Sequence, residues 1–468
     1  MAESEKTEEE KRRSSGDEEP ETEEDSTSEL MKKIEELSII TEKKGPIDDP
    51  GESEIQAVHC VGTIGHLETA VYEAAVKFED LDLSKELIKG LYIEMDFTRP
   101  SKIQAISLPM ILTPPYKDLV AQAHNGSGKT TCFVLGMLSR IDPTKEGPQA
   151  MCICPTRELA QQFTAITSMC AIPSDSASYV PMYKRPEVKE HLMTAKKLRT
   201  CNIKILVFDE ADHMLAESGF KDDSERIMRD IRRESGGCQV LLFSATFNET
   251  VKAFVSHVVR DANQIFVKKE ELTLEKVKQY KVRCYRDREH PDECLKTKVI
   301  KKILEFGRMV GQTIIFVQTR EGAKNLYKEL SKEGWECTSI QGALNIEHRD
   351  KIIKEFKDGL TLVLITTDLL ARGFDQEQVN LVVNYDLPVV YESLKRGSPE
   401  PDCEVYLHRV GRTGRFGRNG AVFNLLGSRE EEAMLEMIEH YFQHSIPKVD
   451  NWEDEKNLKK AIQDSGLM

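Results

Sequence analysis

The stretch Ala123-His124-Asn125-Gly126-Ser127-Gly128-Lys129-Thr130 indicates the fold class of this chain. It follows the largely apolar run Asp118–Ala121 and precedes a helical pattern, which is the strand, loop and helix order of a phosphate-binding loop. Gly126 and Gly128 let backbone N–H groups curve around phosphates, and the N-terminus of the following helix favours the same anion. Ala123 departs from the general pattern, which begins with glycine, and a glycine-rich surface turn is the alternative. The strand and the helix on either side favour an α/β domain with a nucleotide site.

A pair of acids follows another apolar strand pattern. Ile205–Phe208 leads into Asp209-Glu210-Ala211-Asp212, and the carboxyl ends of parallel strands face the ligand crevice of an α/β sheet. Asp209 and the Thr130 hydroxyl are therefore expected to hold Mg²⁺. Lys129 is expected to neutralise the β- and γ-phosphates, and Glu210 to polarise the attacking water. Adjacent acids alone are more often solvated charge, so this assignment depends on the strand before them.

Two further motifs carry a resemblance to a known family. Val240–Phe243 is an apolar run that ends in Ser244-Ala245-Thr246, and a later segment reads His408-Arg409-Val410-Gly411-Arg412-Thr413-Gly414-Arg415. With the acids at 209–212, these motifs resemble those of DEAD-box RNA helicases, from about residue 78 to residue 415. The resemblance implies an α/β fold of two RecA-like lobes with mostly parallel sheets. It also implies ATP and Mg²⁺ as cofactors, and ATP hydrolysis coupled to RNA clamping, local unwinding or remodelling of RNA–protein complexes.

The same resemblance assigns a role to each motif residue. The catalytic residues are Glu210, Asp209, Lys129, Arg412 and Arg415. The residues that bind ATP are Phe78, Phe97, Gln104, Ala123, His124, Asn125, Gly126, Ser127, Gly128, Lys129, Thr130, Gly373 and Asp375. The residues that couple the ATP site to closure are Ser244, Thr246, Asp212 and His408. The residues that bind RNA are Thr156, Arg157, Arg320, Gly342, Arg349 and Thr367.

Two of these assignments have a physical basis in the side chains themselves. The resemblance places Phe78 on the adenine face, and the amide of Gln104 can both donate and accept across one purine edge. Arg412 and Arg415 are expected to reach the γ-phosphate from the second lobe. An arginine supplied across a cleft contributes roughly 10³ to 10⁵ in rate, so lobe closure can switch hydrolysis on. A solvated basic face is the alternative for these arginines, and the glycines between them favour a functional loop.

Composition divides the chain into an acidic tail and two lobes. Residues 1–56 hold 20 acids and 8 Lys or Arg, a net charge of −12 out of −15, and contain no aromatic residue. This composition is typical of disorder. We assign 57–268 to the ATP-binding lobe, 269–278 to a charged linker and 279–468 to the C-terminal lobe. The tail either acts as a solvating segment or competes with RNA for the cleft.

Bulk composition sets limits on partners and compartment. The rest of the chain has a net charge of only −3, so RNA binding must come from local sites rather than from a basic surface. The eleven cysteines are scattered without a C-x-x-C pair, so metal and disulfide sites are not expected. No apolar run is long enough to span a membrane, and the acidic N-terminus does not resemble a signal peptide. These features predict a monomer of the cytoplasm and nucleus.

One insertion points to a branch of the family. A polar segment, Val389–Glu404, lies between Tyr385-Asp386-Leu387-Pro388 and His408, where most of the family has a shorter link. This arrangement resembles the branch that acts in mRNA export at the nuclear pore. The resemblance implies contacts with a nucleoporin and with an activator among the export factors.

The first lobe departs from the family between Glu158 and Asp209. Only 50 residues separate the two acids, roughly 20 fewer than in the family, or about one strand with part of a helix. The family has a buried strand ending in Thr-Pro-Gly here, and this chain has none. Our hypothesis is a splice or gene-model product that lacks one segment. The alternatives to a helicase are then a nucleotide-binding scaffold, or an ATPase that remodels proteins and is uncoupled from RNA.

Overall fold

The computed structural model describes most of the chain from residue 72 onwards. The described ranges are 72–123, 126–170, 200–216, 220–259, 261–266, 277–285, 295–307, 311–340, 342, 344–371, 374, 376, 378–414 and 418–467. The predicted acidic tail at 1–56 and most of the predicted linker at 269–278 lie outside them, as does most of the shortened segment of the first lobe.

The described strands form two sheets in which every pairing is parallel. The first sheet has the order β2-β3-β4-β1-β5 and consists of β1 (Leu119–Gln122), β2 (Ala150–Ile153), β3 (Ile205–Phe208), β4 (Gln239–Ser244) and β5 (Asn263–Ile265). The second has the order β6-β11-β10-β7-β9-β8 and consists of β6 (Val277–Arg283), β7 (Gln312–Phe316), β8 (Cys337–Ile340), β9 (Val363–Thr366), β10 (Val379–Asn384) and β11 (Gly420–Leu426). The strand β6 begins at Val277, two residues before the start that we predicted for the second lobe.

Helices connect the strands in each sheet. In the first lobe they are α1 (Lys85–Lys89), α2 (Lys102–Leu112), α3 (Lys129–Arg140), α4 (Arg157–Cys170), α5 (Ala211–Ala216), α6 (Phe220–Ser235) and α7 (Glu249–Val258). In the second lobe they are α8 (Leu295–Gly307), α9 (Arg320–Lys332), α10 (Ile346–Lys357), α11 (Tyr391–Lys395), α12 (Cys403–Val410), α13 (Arg429–Phe442) and α14 (Glu455–Asp464). Short 3₁₀ turns occupy Phe78–Asp80 and Asp368–Leu370, and a π-helical turn occupies Gly90–Glu94.

Each sheet is covered by apolar side chains on both faces. In the first lobe one cluster surrounds Phe133 and Phe243, and the other surrounds Phe208 and Phe254. Every residue of β1, β3 and β4 is buried, because a parallel strand covered on both faces reads as a continuous apolar run. The predicted α/β fold of two parallel sheets is therefore confirmed.

Strand order brings the predicted site residues to one edge of the first sheet. The strand β4 lies between β3 and β1, so the segments that follow these strands begin side by side. These segments carry the glycine-rich loop, Asp209 and Ser244-Ala245-Thr246. Within the described ranges, no helix combines the length and the apolar character that crossing a bilayer requires.

Candidate functional site

The glycine-rich loop forms a cradle at the N-terminus of α3. Gly126 and Gly128 have φ angles of 77° and 96°, which is the left-handed region that favours glycine. A Cβ on Gly128 would lie 2.6 Å from Nε2 of Gln104, so the position has no room for a side chain. The buried Lys129 donates from Nζ to the carbonyl of Ala123 at 2.8 Å. The loop thus has the backbone shape and the cation that phosphates require.

The predicted adenine-reading element also supports the loop. Ser101 and Gln104 form a capping box at the start of α2, in which Oε1 of Gln104 accepts from the Ser101 amide at 2.9 Å. Nε2 of Gln104 donates to the Gly128 carbonyl at 3.2 Å, and Oγ of Ser101 donates to the Ser127 carbonyl at 2.7 Å. Each end of the amide keeps capacity for one more hydrogen bond, as purine recognition by Gln104 requires.

The two aromatic residues predicted near the base differ in exposure. Phe78 is fully buried, with its ring stacked on Phe97 at a centroid distance of 6.4 Å and edge-on to Tyr92. Phe97 is half-buried. In this arrangement Phe78 offers no free ring face, so stacking on adenine requires a shift of these side chains, and its role stays a prediction.

The acids after β3 are deeply buried. Asp209 is 3% exposed and Glu210 is 4% exposed, and Glu210 has a φ of 51°, which turns the chain sharply at the strand end. Burial raises the pKa of Asp209 to about 7, against the opposing effect of Lys129, while Glu210 raises it further. A buried carboxylate with a raised pKa is one that a divalent cation would stabilise in its charged form. With the half-buried Thr130 hydroxyl nearby in the loop, these residues fit a Mg²⁺ site.

Asp212 joins three separate parts of the chain. Its Oδ2 accepts from Oγ1 of Thr246 at 2.8 Å and lies 3.4 Å from Nε2 of His408 in the second lobe. Its backbone N–H donates to Oγ of Ser244 at 3.2 Å. Asp212 and His408 are 1% and 0% exposed, so water does not weaken this contact between the lobes. The structure therefore brings together the four residues predicted to couple the ATP site to closure.

An ion pair makes a second contact between the lobes. Nη2 of Arg349 lies 2.7 Å from Oε2 of Glu158, and their side chains are 19% and 5% exposed. Arg349 was predicted to bind RNA; in this structure its guanidinium contacts the first lobe, and its RNA role stays a prediction. Glu158 directly follows Arg157, so the ion pair lies one residue from a predicted RNA contact.

A third contact involves the cap of α7. Asn248 caps this helix by accepting from the Val251 amide at 2.9 Å, and its Nδ2 donates to Oε1 of Glu404 at 2.7 Å. Ala245 lies three residues before Asn248. Its side chain packs into an apolar cluster whose other buried members belong to the second lobe. The segment 244–248 thus meets the second lobe through both polar and apolar atoms.

The second lobe presents its predicted residues from the same helix and loop. His408 lies in α12, and Arg412 lies just beyond its end. The buried Arg412 donates from Nε to the His408 carbonyl at 3.1 Å and from Nη1 to the Phe374 carbonyl. The guanidinium is therefore held within its own lobe, and contact with a γ-phosphate stays a prediction.

The predicted RNA residues of the second lobe lie at the ends of strands. Arg320 is exposed at the start of α9, and a Cβ on Gly342 would lie 3.3 Å from its Nη2. Thr367 directly follows β9, a neighbour of β7 in the sheet. In the first lobe, Oγ1 of Thr156 accepts from the Leu159 amide at 3.3 Å. The structure places Arg320 and Gly342 side by side, and their RNA roles stay predictions.

Comparison with known proteins identifies the family. A model of the DEAD/DEAH box helicase family matches residues 101–254, and a model of the helicase conserved C-terminal domain matches residues 295–417. The chain is 59% identical over 444 residues to DEAD-box ATP-dependent RNA helicase 38 of Oryza sativa, which covers 90% of this chain and 85% of the rice protein. This chain belongs to the DEAD-box ATP-dependent RNA helicases.

Solved structures similar to this helicase share both lobes. Dbp5 of S. cerevisiae bound to RNA and ADP BeF3 is 35% identical, with a TM-score of 0.72, and the match covers 83% of this chain and 100% of the Dbp5 chain. A Dbp5 variant of S. cerevisiae bound to Nup159, a Gle1 variant, IP6 and ADP is 34% identical, with a TM-score of 0.57. This match covers 81% of this chain and 100% of the Dbp5 chain. The predicted RecA-like fold and the predicted enzyme class are confirmed.

Several predicted site residues of the helicase lie outside the described residues. These are His124, Asn125, Gly373, Asp375, Arg415 and the side chain of Arg157. Their roles stay predictions.

The insertion of the helicase closes on itself. The Val390 amide donates to the Glu400 carbonyl at 2.9 Å, and the Asp402 amide donates to the Pro388 carbonyl at 2.9 Å. The insertion contains α11 and ends where Asp402 caps α12 by accepting from the Val405 amide at 2.9 Å. The two ends of the insertion are therefore joined by backbone hydrogen bonds just before α12, the helix that carries His408.

Sequence reasoning missed three residues of the helicase that the structure places at the site. Ser101 supports the phosphate loop, while Glu158 and Glu404 each bond a residue of the opposite lobe. The spacing of Ser101 and Gln104 is that of a capping box, which was a usable signal. No local pattern marks the two acids, since their partners are distant in sequence.

Proposed function

We propose that this helicase couples ATP hydrolysis to RNA by closing its two lobes around Asp212. The observation that carries the proposal is the buried junction in which Asp212 contacts Thr246 of its own lobe and His408 of the other. Asp212 lies two residues from Glu210, so a change in the lobe contact is transmitted directly to the strand end that carries the proposed base. Closure and hydrolysis are therefore linked through one short segment.

In this proposal the first lobe supplies most of the chemistry. The backbone of Gly126–Lys129 and the Lys129 ammonium bind the phosphates of ATP, and Thr130 and Asp209 hold Mg²⁺. Mg²⁺, when bound, neutralises charge on the phosphates. Glu210 orients the attacking water and accepts its proton. Arg412 and Arg415 stabilise charge on the γ-phosphate from the second lobe, so hydrolysis is slow until the lobes close.

RNA is proposed to lie across both lobes. Thr156 and Arg157 contact the backbone from the first lobe, and Arg320, Gly342 and Thr367 contact it from the second. Contacts to phosphates and 2′-hydroxyls carry little sequence information, so weak sequence preference is expected. Arg349 is proposed to contact RNA as well, and its ion pair with Glu158 places it next to Arg157.

The branch of the family supports a role in mRNA export. The solved structures of Dbp5 with RNA and with Nup159 and a Gle1 variant are 35% and 34% identical to this chain. We infer that this helicase contacts a nucleoporin and an export-factor activator, and works in the nucleus and cytoplasm at the nuclear pore. We retain 57–268 and 279–468 as the lobe boundaries, with the second lobe extended to Val277, where β6 begins.

The shortened first lobe is part of the proposal. Its support is the spacing of the motifs, because only 50 residues separate Glu158 from Asp209, roughly 20 fewer than in the family. Sequencing the transcript across 184–196 tests the idea, and an abundant message with this junction would contradict an artefact.

Phosphate release by the full chain tests the proposal as a whole. Purified protein with Mg²⁺ and ATP is assayed with and without single-stranded RNA, and strong stimulation is expected. ATP binding with basal turnover that RNA does not change would favour the protein-remodelling ATPase. Bound ATP without turnover would favour the scaffold.

A further inference from the structure

Asp386 lies at the carboxyl edge of the second sheet and bonds to elements on both sides of it. It follows β10, and its Oδ2 accepts from the backbone N–H of Gln318 at 2.9 Å. Its Oδ1 accepts from Nζ of Lys296 at 3.2 Å, and its carbonyl accepts from Nη1 of Arg409 at 2.7 Å. We call Asp386, Gln318, Lys296 and Arg409 the Asp386 hub. Every atom of Asp386 that accepts a hydrogen bond is used within the hub.

The two cations of the hub are buried and paired. The side chain of Lys296 is 10% exposed and also reaches the Tyr385 carbonyl at 2.7 Å and Oε1 of Glu431 at 2.8 Å. Burial lowers the pKa of Lys296, but the carboxylates of Glu431 and Asp386 outweigh burial, so its pKa is raised overall. The side chain of Arg409 is 0% exposed, and its Nε donates to Oδ1 of Asp368 at 2.7 Å. A buried cation keeps one geometry only when such partners surround it.

The hub connects segments that hold predicted RNA-binding residues to the helix α12. Gln318 lies two residues before Arg320. Asp368, which accepts from Arg409, directly follows Thr367. Arg409 lies beside His408, which contacts Asp212 of the first lobe. The hub therefore connects the segment before Arg320 to the helix that carries His408.

We propose that Asp386 is a positioning residue. Its carboxylate holds the backbone N–H of Gln318 and its carbonyl holds Arg409 of α12, so the segment before Arg320 keeps a fixed position relative to α12 and RNA binding is linked to lobe closure. This inference rests on the RNA roles given above for Arg320 and Thr367. The side chain holds the Gln318 amide while the backbone of the same residue holds Arg409, so movement of α12 is passed to that segment within one residue.

The chemistry of Asp386 suggests two informative variants. In Asp386→Asn an NH₂ group replaces one carboxylate oxygen. The remaining oxygen is expected to face the charged Lys296, so the NH₂ group faces the backbone N–H of Gln318 and that hydrogen bond is lost. In Asp386→Glu the charge beside Lys296 is kept, but the carboxylate is displaced by one methylene. Glu431→Gln is the matched control, because it removes the other carboxylate beside Lys296 and leaves Gln318 and Arg409 untouched.

The experiment measures RNA-stimulated phosphate release by the full chain. It also measures hydrogen exchange at the backbone N–H of Gln318 and the melting temperature of each variant. For both Asp386 variants we expect faster exchange at Gln318 and an RNA half-saturation raised about tenfold, as for loss of a charged hydrogen bond. We expect turnover at saturating RNA to change less than about twofold, since no reacting group is removed. Glu431→Gln should leave RNA half-saturation and Gln318 exchange unchanged.

Three outcomes would overturn the inference. The first is faster exchange at Gln318 with unchanged RNA half-saturation, which would make the hub purely structural. The second is an equal rise in RNA half-saturation in all three variants that follows melting temperature. The third is wild-type protein that RNA does not stimulate, which would remove the proposed RNA role first and this inference with it. If Asp386→Asn does not fold, Asp386→Glu gives the same readouts with the charge kept.

Discussion

Reversing the charge at Arg349 tests whether the ion pair with Glu158 holds the lobes together. The wild-type pair has an N–O distance of 2.7 Å, with side chains 19% and 5% exposed. Arg349→Glu places two carboxylates against each other across the lobe contact, so the closed arrangement is disfavoured. The double exchange with Glu158→Arg restores opposite charges and is expected to recover part of the loss.

Burial sets the size of the expected effect. A solvent-exposed ion pair contributes about 0 to 1 kcal/mol, whereas a hydrogen bond to a charged group within a protein contributes about 1.5 to 3 kcal/mol. Breaking a fully buried pair costs about 3 to 5 kcal/mol because one charge stays without a partner. Here separation of the lobes returns both charges to water, which limits the loss. We therefore expect about 2 kcal/mol, or about a 30-fold rise in the RNA concentration needed for half-saturation.

Fluorescence anisotropy of labelled single-stranded RNA, with a non-hydrolysable ATP analogue, measures this shift. Binding of a fluorescent ATP analogue without RNA is the control, since neither residue touches the phosphate loop. A double-mutant cycle with Glu158→Gln and Arg349→Gln gives the coupling between the two side chains. RNA affinity that falls less than about twofold in Arg349→Glu, or a double exchange no tighter than the weaker single variant, would refute the reasoning.

Four further predictions concern the phosphate side of the first lobe. Glu210→Gln should keep ATP binding and lower RNA-stimulated phosphate release at least about 100-fold, and undiminished release would contradict its role as base. Burial raises the pKa of Asp209 from 3.8 to about 7, so below pH 7 a proton competes with Mg²⁺ for its carboxylate. The Mg²⁺ concentration needed for half-maximal turnover should rise about tenfold for each pH unit below 7, and a concentration that does not depend on pH would contradict this expectation. Because that folded-state pKa lies above the unfolded one, the folded protein without Mg²⁺ binds more protons between pH 4 and 7, and its melting temperature should fall as pH rises through this window. Gly128→Ala forces a Cβ to 2.6 Å from Gln104 at a φ of 96° and should weaken ATP binding at least about tenfold, whereas Gly236→Ala, at a φ of 68° with nothing within 4 Å, adds backbone strain alone and should not affect ATP binding.

The strands could be predicted because the buried strands of a parallel sheet are short, continuous apolar runs in the sequence. Ile205–Phe208 and Val240–Phe243 were read as buried strands, and the structure has β3 at Ile205–Phe208 and β4 at Gln239–Ser244. Both faces of such strands meet helices, so no polar residue interrupts them. Each run ends where polar residues begin, and this position marks the edge at which the site forms.

The contacts between lobes that lie outside the family motifs could not be predicted in the same way. Asn248 and Glu404 are 156 residues apart, whereas Asp212 and His408 were predicted to act together only because each lies in a family motif. No periodicity links such distant positions, and a single acid in a polar insertion has no mark that distinguishes it from solvated charge. The complete burial of Phe78 was also missed, because the motif predicts that an aromatic is present and not how its neighbours cover it.

The position of the lobe contacts explains how one event reaches two ligands. Glu158 follows Arg157 in the chain, and Asp212 lies two residues after Glu210, so each closure contact adjoins a residue proposed to bind RNA or activate water. In the second lobe, Asp386 links the turn before Arg320 to Arg409, the neighbour of His408. Each lobe contact is separated from a proposed ligand-binding or catalytic residue by only one or two residues of backbone. A displacement at the contact therefore also moves that residue. Under the proposed roles, coupling in this helicase needs no long pathway, because the residues that join the lobes lie beside those proposed to bind RNA and ATP.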